Sequence, residues 1–145
     1  MVAWANMRIA LAQTPDEIAA CHPVMKELRT KYPLRTFVQQ VQEQQTDGYL
    51  LAFVEDEGEI SAAAGFRLSQ NLAWGKFLYV DDLVTLPAAR SKGYGGKLLD
   101  WLTGYARQHG CGELHLDSGV QRLAAHRFYL TNRMEITSHH FAMKL

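Results

Sequence analysis

Apolar and polar positions follow two different rhythms along this chain, and the switches between them mark its elements. Met7 to Leu11 reads as a first strand. Thr14-Pro15-Asp16-Glu17 then has the order of a capping box with proline at the first helical position. Behind it Ile18, Cys21, Met25 and Leu28 recur at helical spacing to about Arg29, and Pro23 is expected to kink or restart that helix. A second helix over about Leu34 to Gln45 turns Phe37 and Val41 inward and a glutamine-rich face to solvent. Two apolar runs, Tyr49 to Glu55 and Ile60 to Leu68, flank Asp56-Glu57-Gly58-Glu59 and predict an antiparallel hairpin. A third long strand covers Lys76 to Thr85. Tyr94, Leu98, Trp101, Leu102 and Tyr105 then return to helical spacing, with Gly110 as a stop after His109. The remaining pattern predicts a short strand over Glu113 to Asp117, a helix over Gln121 to Leu130, and a strand or tight hairpin over Met134 to Leu145.

The resulting order, β-α-α-β-β-β-α-β-α-β, belongs to the α/β class in the sense of an α+β mixed sheet. Helices lie on both faces, and the crossovers put parallel pairing in the C-terminal half. With 145 residues, 48% of them hydrophobic, the chain suffices for one ordinary core, so a single domain over 1–145 is expected. The 15 Lys+Arg and 15 Asp+Glu cancel, which leaves no net field to favour nucleic acid or an anionic membrane. No apolar stretch approaches the ~20 residues of a membrane span and no signal-like N-terminus is present, so the expected compartment is the cytoplasm. Cys21 and Cys111 form neither a CxxC pair nor a Cys/His metal spacing and read as reduced thiols. His139-His140 is no better as a metal site, because strand neighbours face opposite ways and no third ligand is spaced nearby. No metal is expected. Trp4, Trp74 and Trp101 read as core or interface residues.

The chemistry concentrates at Arg90-Ser91-Lys92-Gly93-Tyr94-Gly95-Gly96, a basic glycine-bearing turn between a strand and an amphipathic helix. Glycines let backbone N–H groups converge, and the helix N-terminus adds partial positive charge where they point, so the turn suits a diphosphate. A Walker loop fails here: Ser91 stands where its first glycine belongs, and Leu98 follows Gly96-Lys97. A dinucleotide fingerprint fails on Leu98 in place of its third glycine. The pattern Arg/Gln-x-x-Gly-x-Gly/Ala after a strand, filled by Arg90, Gly93 and Gly95, resembles the acetyl-CoA pyrophosphate loop of the GNAT superfamily of N-acetyltransferases. That family also has the element order given above.

The resemblance implies an acetyl-CoA-dependent N-acetyltransferase acting directly on a primary amine of a small molecule or protein. The alternatives are a CoA-sensing module without catalysis, or transfer to a hydroxyl or thiol. In such a fold the strand before the turn bulges and its backbone pairs with the pantetheine arm. Leu83 and Thr85 are the candidates for those contacts, with Val84 between them, and the N–H of Leu83 for polarising the carbonyl. An alkylamine near pKa ~10.4 is protonated at neutral pH and needs a base. Asp81 is the candidate, in a Tyr-x-acid-acid context similar to spermidine/spermine acetyltransferases; a substrate-orienting or structural role is the alternative. On a regular strand Asp81 and Asp82 face opposite ways, so only one is expected in the cleft. Ala125-His126-Arg127-Phe128-Tyr129 resembles the family's Ala-x-x-Phe-Tyr, which makes Tyr129 the general acid for the leaving thiolate; a core tyrosine is the bland alternative. Two positions depart from the family. Arg122 replaces an asparagine near the cofactor, and Arg133-Met134 replaces Gly-Phe, with Asn132 expected in the left-handed cap conformation. The stretch from about Pro23 to Gln45, with Glu27, Arg29, Tyr32 and Arg35, would shape the acceptor side. A short C-terminal region predicts that a partner subunit completes the last strand, hence a homodimer.

Overall fold

The computed structural model describes residues 5–145, so Trp4 lies outside the described residues. The chain divides into two compact units, one ending at His115 and one covering Leu116–Leu145. A single sheet runs in the order β1 (Met7–Leu11), β2 (Leu50–Asp56), β3 (Glu59–Asn71), β4 (Gly75–Thr85) and β5 (Glu113–Leu116). The first three neighbouring pairs are antiparallel. The last is reached through a helix, the crossover that a parallel neighbour requires.

Helix α1 (Pro15–Met25) starts at the capping box read from the sequence: Thr14 Oγ1 accepts from Glu17 N–H at 3.1 Å, and Glu17 Oε1 accepts from Thr14 N–H at 3.0 Å. It runs through Pro23 without a restart and unwinds in turns to Arg29, whose N–H reaches the Met25 carbonyl at 2.9 Å. Helix α2 is Leu34–Thr46. Ile18, Cys21, Val24 and Met25 of α1 and Phe37 and Val41 of α2 close over Leu51, Phe53, Ala63 and Val84. The other face of the sheet receives α3 (Tyr94–Gln108), where Phe66 packs edge-on against Trp101 and Tyr105. Ala63 and Phe66 are out of phase on β3, so strand alternation alone distributes the helices to both faces.

In the C-terminal unit α4 is Leu123–Thr131, and Arg122 is its N-cap residue. The strand or hairpin expected over Met134 to Leu145 is not formed: no regular element follows α4 among the described residues. Ile136, Phe141, Met143 and Leu145 are exposed, and a strand without a ladder partner has nothing to fix it. The cap also differs from expectation. Asn132 stays at φ −89°, and Arg133 takes the left-handed conformation at φ 68°. The N–H groups of Arg133 and Met134 then reach back to the carbonyls of Leu130 and Tyr129, a Schellman closure built on an arginine.

Candidate functional site

The sheet face under α1 and α2 opens into a cleft of about 530 Å³, and both Asp81 and Asp82 line it. The expectation that only one of them could do so fails because β4 is not regular at this point. Asp82 pairs with Gly65 and Val80 with Phe66, so Asp81 is an extra residue in the ladder, a β-bulge. The bulge reverses the side-chain parity: Tyr79 and Asp81 before it and Asp82 and Val84 after it share one face. A bulge of this kind was expected from the family resemblance; its consequence for the acid pair was not.

The two carboxylates are held differently. Asp82, 9% exposed, accepts from the Tyr49 hydroxyl at 2.7 Å through Oδ2 and from Arg29 Nε at 2.7 Å through Oδ1. Asp81 accepts from Arg67 Nε at 2.9 Å through Oδ2, which leaves Oδ1 for another donor. Arg29 bridges the pair by donating from Nη2 to the Asp81 carbonyl at 2.9 Å. The Tyr49 hydroxyl is pushed well above the ordinary phenol range, first by burial and then by the Asp82 charge beside it, so it stays a donor. Gly65 makes this meeting feasible. A Cβ there would stand 1.8 Å from the Tyr49 oxygen and 2.5 Å from Asp82 Oδ2. Glycine in the interior of a strand, opposite a bulge, therefore leaves the room in which the phenol reaches the acid.

Tyr49, Gly65, Arg67 and Tyr79 are residues that reading the sequence missed. One signal was available, since an isolated glycine in a strand pattern marks a bulge or a close approach. Of the residues expected to shape the acceptor side, Arg29 and Tyr32 line the cleft, joined by Lys31, Gln40 and Gln44, whereas Glu27 and Arg35 do not. The loop carrying Lys31 and Tyr32 is tied down by His22, whose Nε2 donates to the Tyr32 carbonyl at 2.8 Å.

The second constellation is backbone. β4 ends at Thr85, its ladder with β3 continuing through Leu83, Val84 and Thr85 opposite Ala64, Ala63 and Ala62. On the other edge, the Gly112 N–H bonds the Lys76 carbonyl at 2.9 Å, so the four residues of β5 lie beside the start of β4. Four residues span only ~13 Å, which leaves the Leu83–Thr85 edge beyond their reach. A short 3-10 turn, Pro87–Ala89, then leads into Arg90, Ser91, Lys92 and Gly93. Ser91 at φ 67° and Gly93 at φ 90° are both left-handed, the alternation that folds successive N–H groups into a concave anion nest. No side chain caps α3, whose first turn begins with Tyr94, Gly95 and Gly96, so the dipole end of the helix faces the turn. The Tyr94 side chain points elsewhere. Its hydroxyl donates to Asp56 Oδ2 at 2.6 Å, a bond that raises its pKa and pins the start of α3 to the end of β2. Residues 90–96 thus fit a diphosphate, through backbone and two exposed cations.

Tyr129 stands on α4 in the C-terminal unit, against Phe128 with ring centroids 5.6 Å apart. Burial raises its pKa, partly opposed by the Arg122 charge. His140 pairs with Asp117 at 3.4 Å in the same unit. Cys21 is fully buried, and burial pushes its thiol up to about 12; Cys111 is free and partly exposed. Trp74 stacks on His115 at 3.5 Å, and Trp101 on Tyr105 at 5.2 Å, both as structural aromatics.

The acetyltransferase (GNAT) family profile matches residues 11–132. The chain is 39% identical over 123 residues to the "Uncharacterized N-acetyltransferase YhdJ" of Bacillus subtilis (strain 168), covering 84% of this chain and 86% of that protein. Its fold is similar to that of AAC(6')-Iy in complex with the bisubstrate analog CoA-S-monomethyl-acetylneamine, with TM-score 0.85, 14% identity, and 97% and 99% of the two chains covered. Glucosamine-6-phosphate N-acetyltransferase from Arabidopsis thaliana is similar at TM-score 0.75 and 20% identity, over 95% of this chain and 97% of that one.

Proposed function

Since the chain belongs to the GNAT family of acetyltransferases and is an acetyl-CoA-dependent acyltransferase, we propose that its acceptor is the primary amine of a small molecule. The observation that carries this reading is the cleft at the bulge, where Asp81 and Asp82 converge in a volume of about 530 Å³, the size of a small-ligand site. One domain spanning 1–145 would house the reaction, in the cytoplasm and as a homodimer.

Acetyl-CoA supplies an activated acetyl group with a thiolate leaving group. Residues Arg90 to Gly96 hold the diphosphate by backbone N–H groups, the α3 N-terminus and the Arg90 and Lys92 charges. The edge at Leu83, Val84 and Thr85, which β5 does not reach, receives the pantetheine arm as an added strand would be received, and the Leu83 N–H stabilises charge on the carbonyl oxygen. Asp81 Oδ1, left open by Arg67, takes the proton of the incoming ammonium, directly or through water. The nitrogen lone pair then forms the C–N bond as the C–S bond breaks. Tyr129 is assigned the proton that the thiolate takes, on the family's Ala-x-x-Phe-Tyr pattern, and the second proton shed by the acylated nitrogen restores the phenol.

Calorimetric titration with acetyl-CoA, beside an Arg90→Ala, Gly93→Ala double variant, tests the cofactor half. Micromolar binding, near ~8 kcal/mol, that is lost in the variant supports it. An amine screen read by release of CoA thiol tests the other half.

A further inference from the structure

Resting on that amine-acetylation reading, we infer that the acceptor carries an acidic group as well as its amine, and that Arg29 and Lys31 recognise the acid. The cleft contains two carboxylates, which at first sight favours a substrate with several positive charges. Both are already matched. Asp82 is held by Arg29 and Tyr49, and one oxygen of Asp81 by Arg67. Arg29 and Lys31 line the cleft with the two acids. Because Arg67 pairs with Asp81 from outside the lining and Arg29 with Asp82, Lys31 is the lining cation with no acid partner among the described residues, and α2 adds only the neutral amides of Gln40 and Gln44. Glu27, on the same turn as Arg29, does not line the cleft. A diamine would bring its second charge toward this surplus with no acid to meet it. An amine bearing an acid fits both ends, its ammonium to Asp81 Oδ1 and its anion to the cations of the α1–α2 turn.

Arg29 is built for that task. Its Nε and Nη2 are fixed by Asp82 and by the Asp81 carbonyl, which uses two of the five N–H donors of a guanidinium. The side chain is nonetheless 47% exposed and lines the cleft. A guanidinium immobilised by the protein loses little further freedom on gripping a carboxylate or phosphonate, and its planar fork suits either. Lys31, with its ammonium 5.4 Å from the Tyr32 ring centroid, adds a second charge on a loop already anchored by His22.

The test is kcat/KM of the purified protein with acetyl-CoA and four amines: β-alanine, aminoethylphosphonate, β-alaninamide and putrescine. We expect at least one acid-bearing amine to exceed both others by about tenfold or more, the two acid arms separating carboxylate from phosphonate. In Lys31→Glu, which leaves the Asp82 pair intact, and in Arg29→Gln, that ratio should fall about tenfold, through KM rather than kcat. Equal or better use of β-alaninamide or putrescine overturns the inference, as does an unchanged ratio in both variants. Acetyl-CoA binding with no amine turned over at all removes the amine-acetylation reading itself, and this inference with it.

Discussion

The acceptor cleft and the diphosphate turn are built on opposite plans. The cleft is made of side chains from β4, α2, the turn after α1 and Tyr49 just before β2, and with Arg67 of β3 its acids are locked by bonds of 2.7 to 2.9 Å between residues up to 53 positions apart. The turn is made of backbone, with two left-handed residues, an uncapped helix and exposed cations inside seven consecutive positions. A backbone site is written locally, in glycines and spacing, whereas a side-chain network exists only once the sheet has brought distant residues together. The two should therefore fail separately when mutated.

The largest separation is expected from Asp81→Asn. Removing the base should lower kcat by about 100-fold or more, while calorimetry should find acetyl-CoA affinity within about twofold of wild type. Next is Gly65→Ala, whose new Cβ would have to displace the Tyr49 hydroxyl from Asp82. Loss of about 2 kcal/mol or more in denaturant unfolding is expected, together with a rise in acceptor KM; a variant as stable as wild type would mean that the phenol has room to move. On the other side of the comparison, Gly93→Ala forces an alanine to φ 90°. That strain of about 1–2 kcal/mol should weaken acetyl-CoA binding by about tenfold without altering the acceptor preference.

Two smaller effects sharpen the contrast. Tyr49 and Tyr129 both have pKa values raised above 10.0 by burial, so the fold favours their neutral forms. Their contribution is complete below pH 10 and is lost as pH rises from there toward the folded values, because the unfolded chain then releases protons that the native one keeps. The thermal midpoint should fall above pH 10, and less steeply in Tyr49→Phe. Arg133→Gly, in the αL position that closes α4, should stabilise the protein by about 0.5–1 kcal/mol, read from the urea midpoint; no gain would mean that the Arg133 side chain offsets its own strain.

The same division explains what could be read from the sequence. The capping box at Thr14, the β2–β3 hairpin and the helix after Gly93 are local patterns and stand where the sequence predicts them. The acid pair was misjudged because alternation assumes a regular strand, and the bulge at Asp81 is set by pairing with Gly65 on another strand. Tyr49, Arg67 and Tyr79 carried no local mark at all. Beyond α4, Met134 to Leu145 reads as a strand or tight hairpin, but a segment without a ladder partner does not make one.

The central claim is that the turn binds acetyl-CoA and the bulge acid does not. The most direct measurement is titration of acetyl-CoA into wild type, Asp81→Asn and Gly93→Ala under one condition. We predict micromolar binding, equal within about twofold in the first two and about tenfold weaker in the third, an increment of ~1.4 kcal/mol. Binding that is lost in Asp81→Asn and intact in Gly93→Ala would contradict the account.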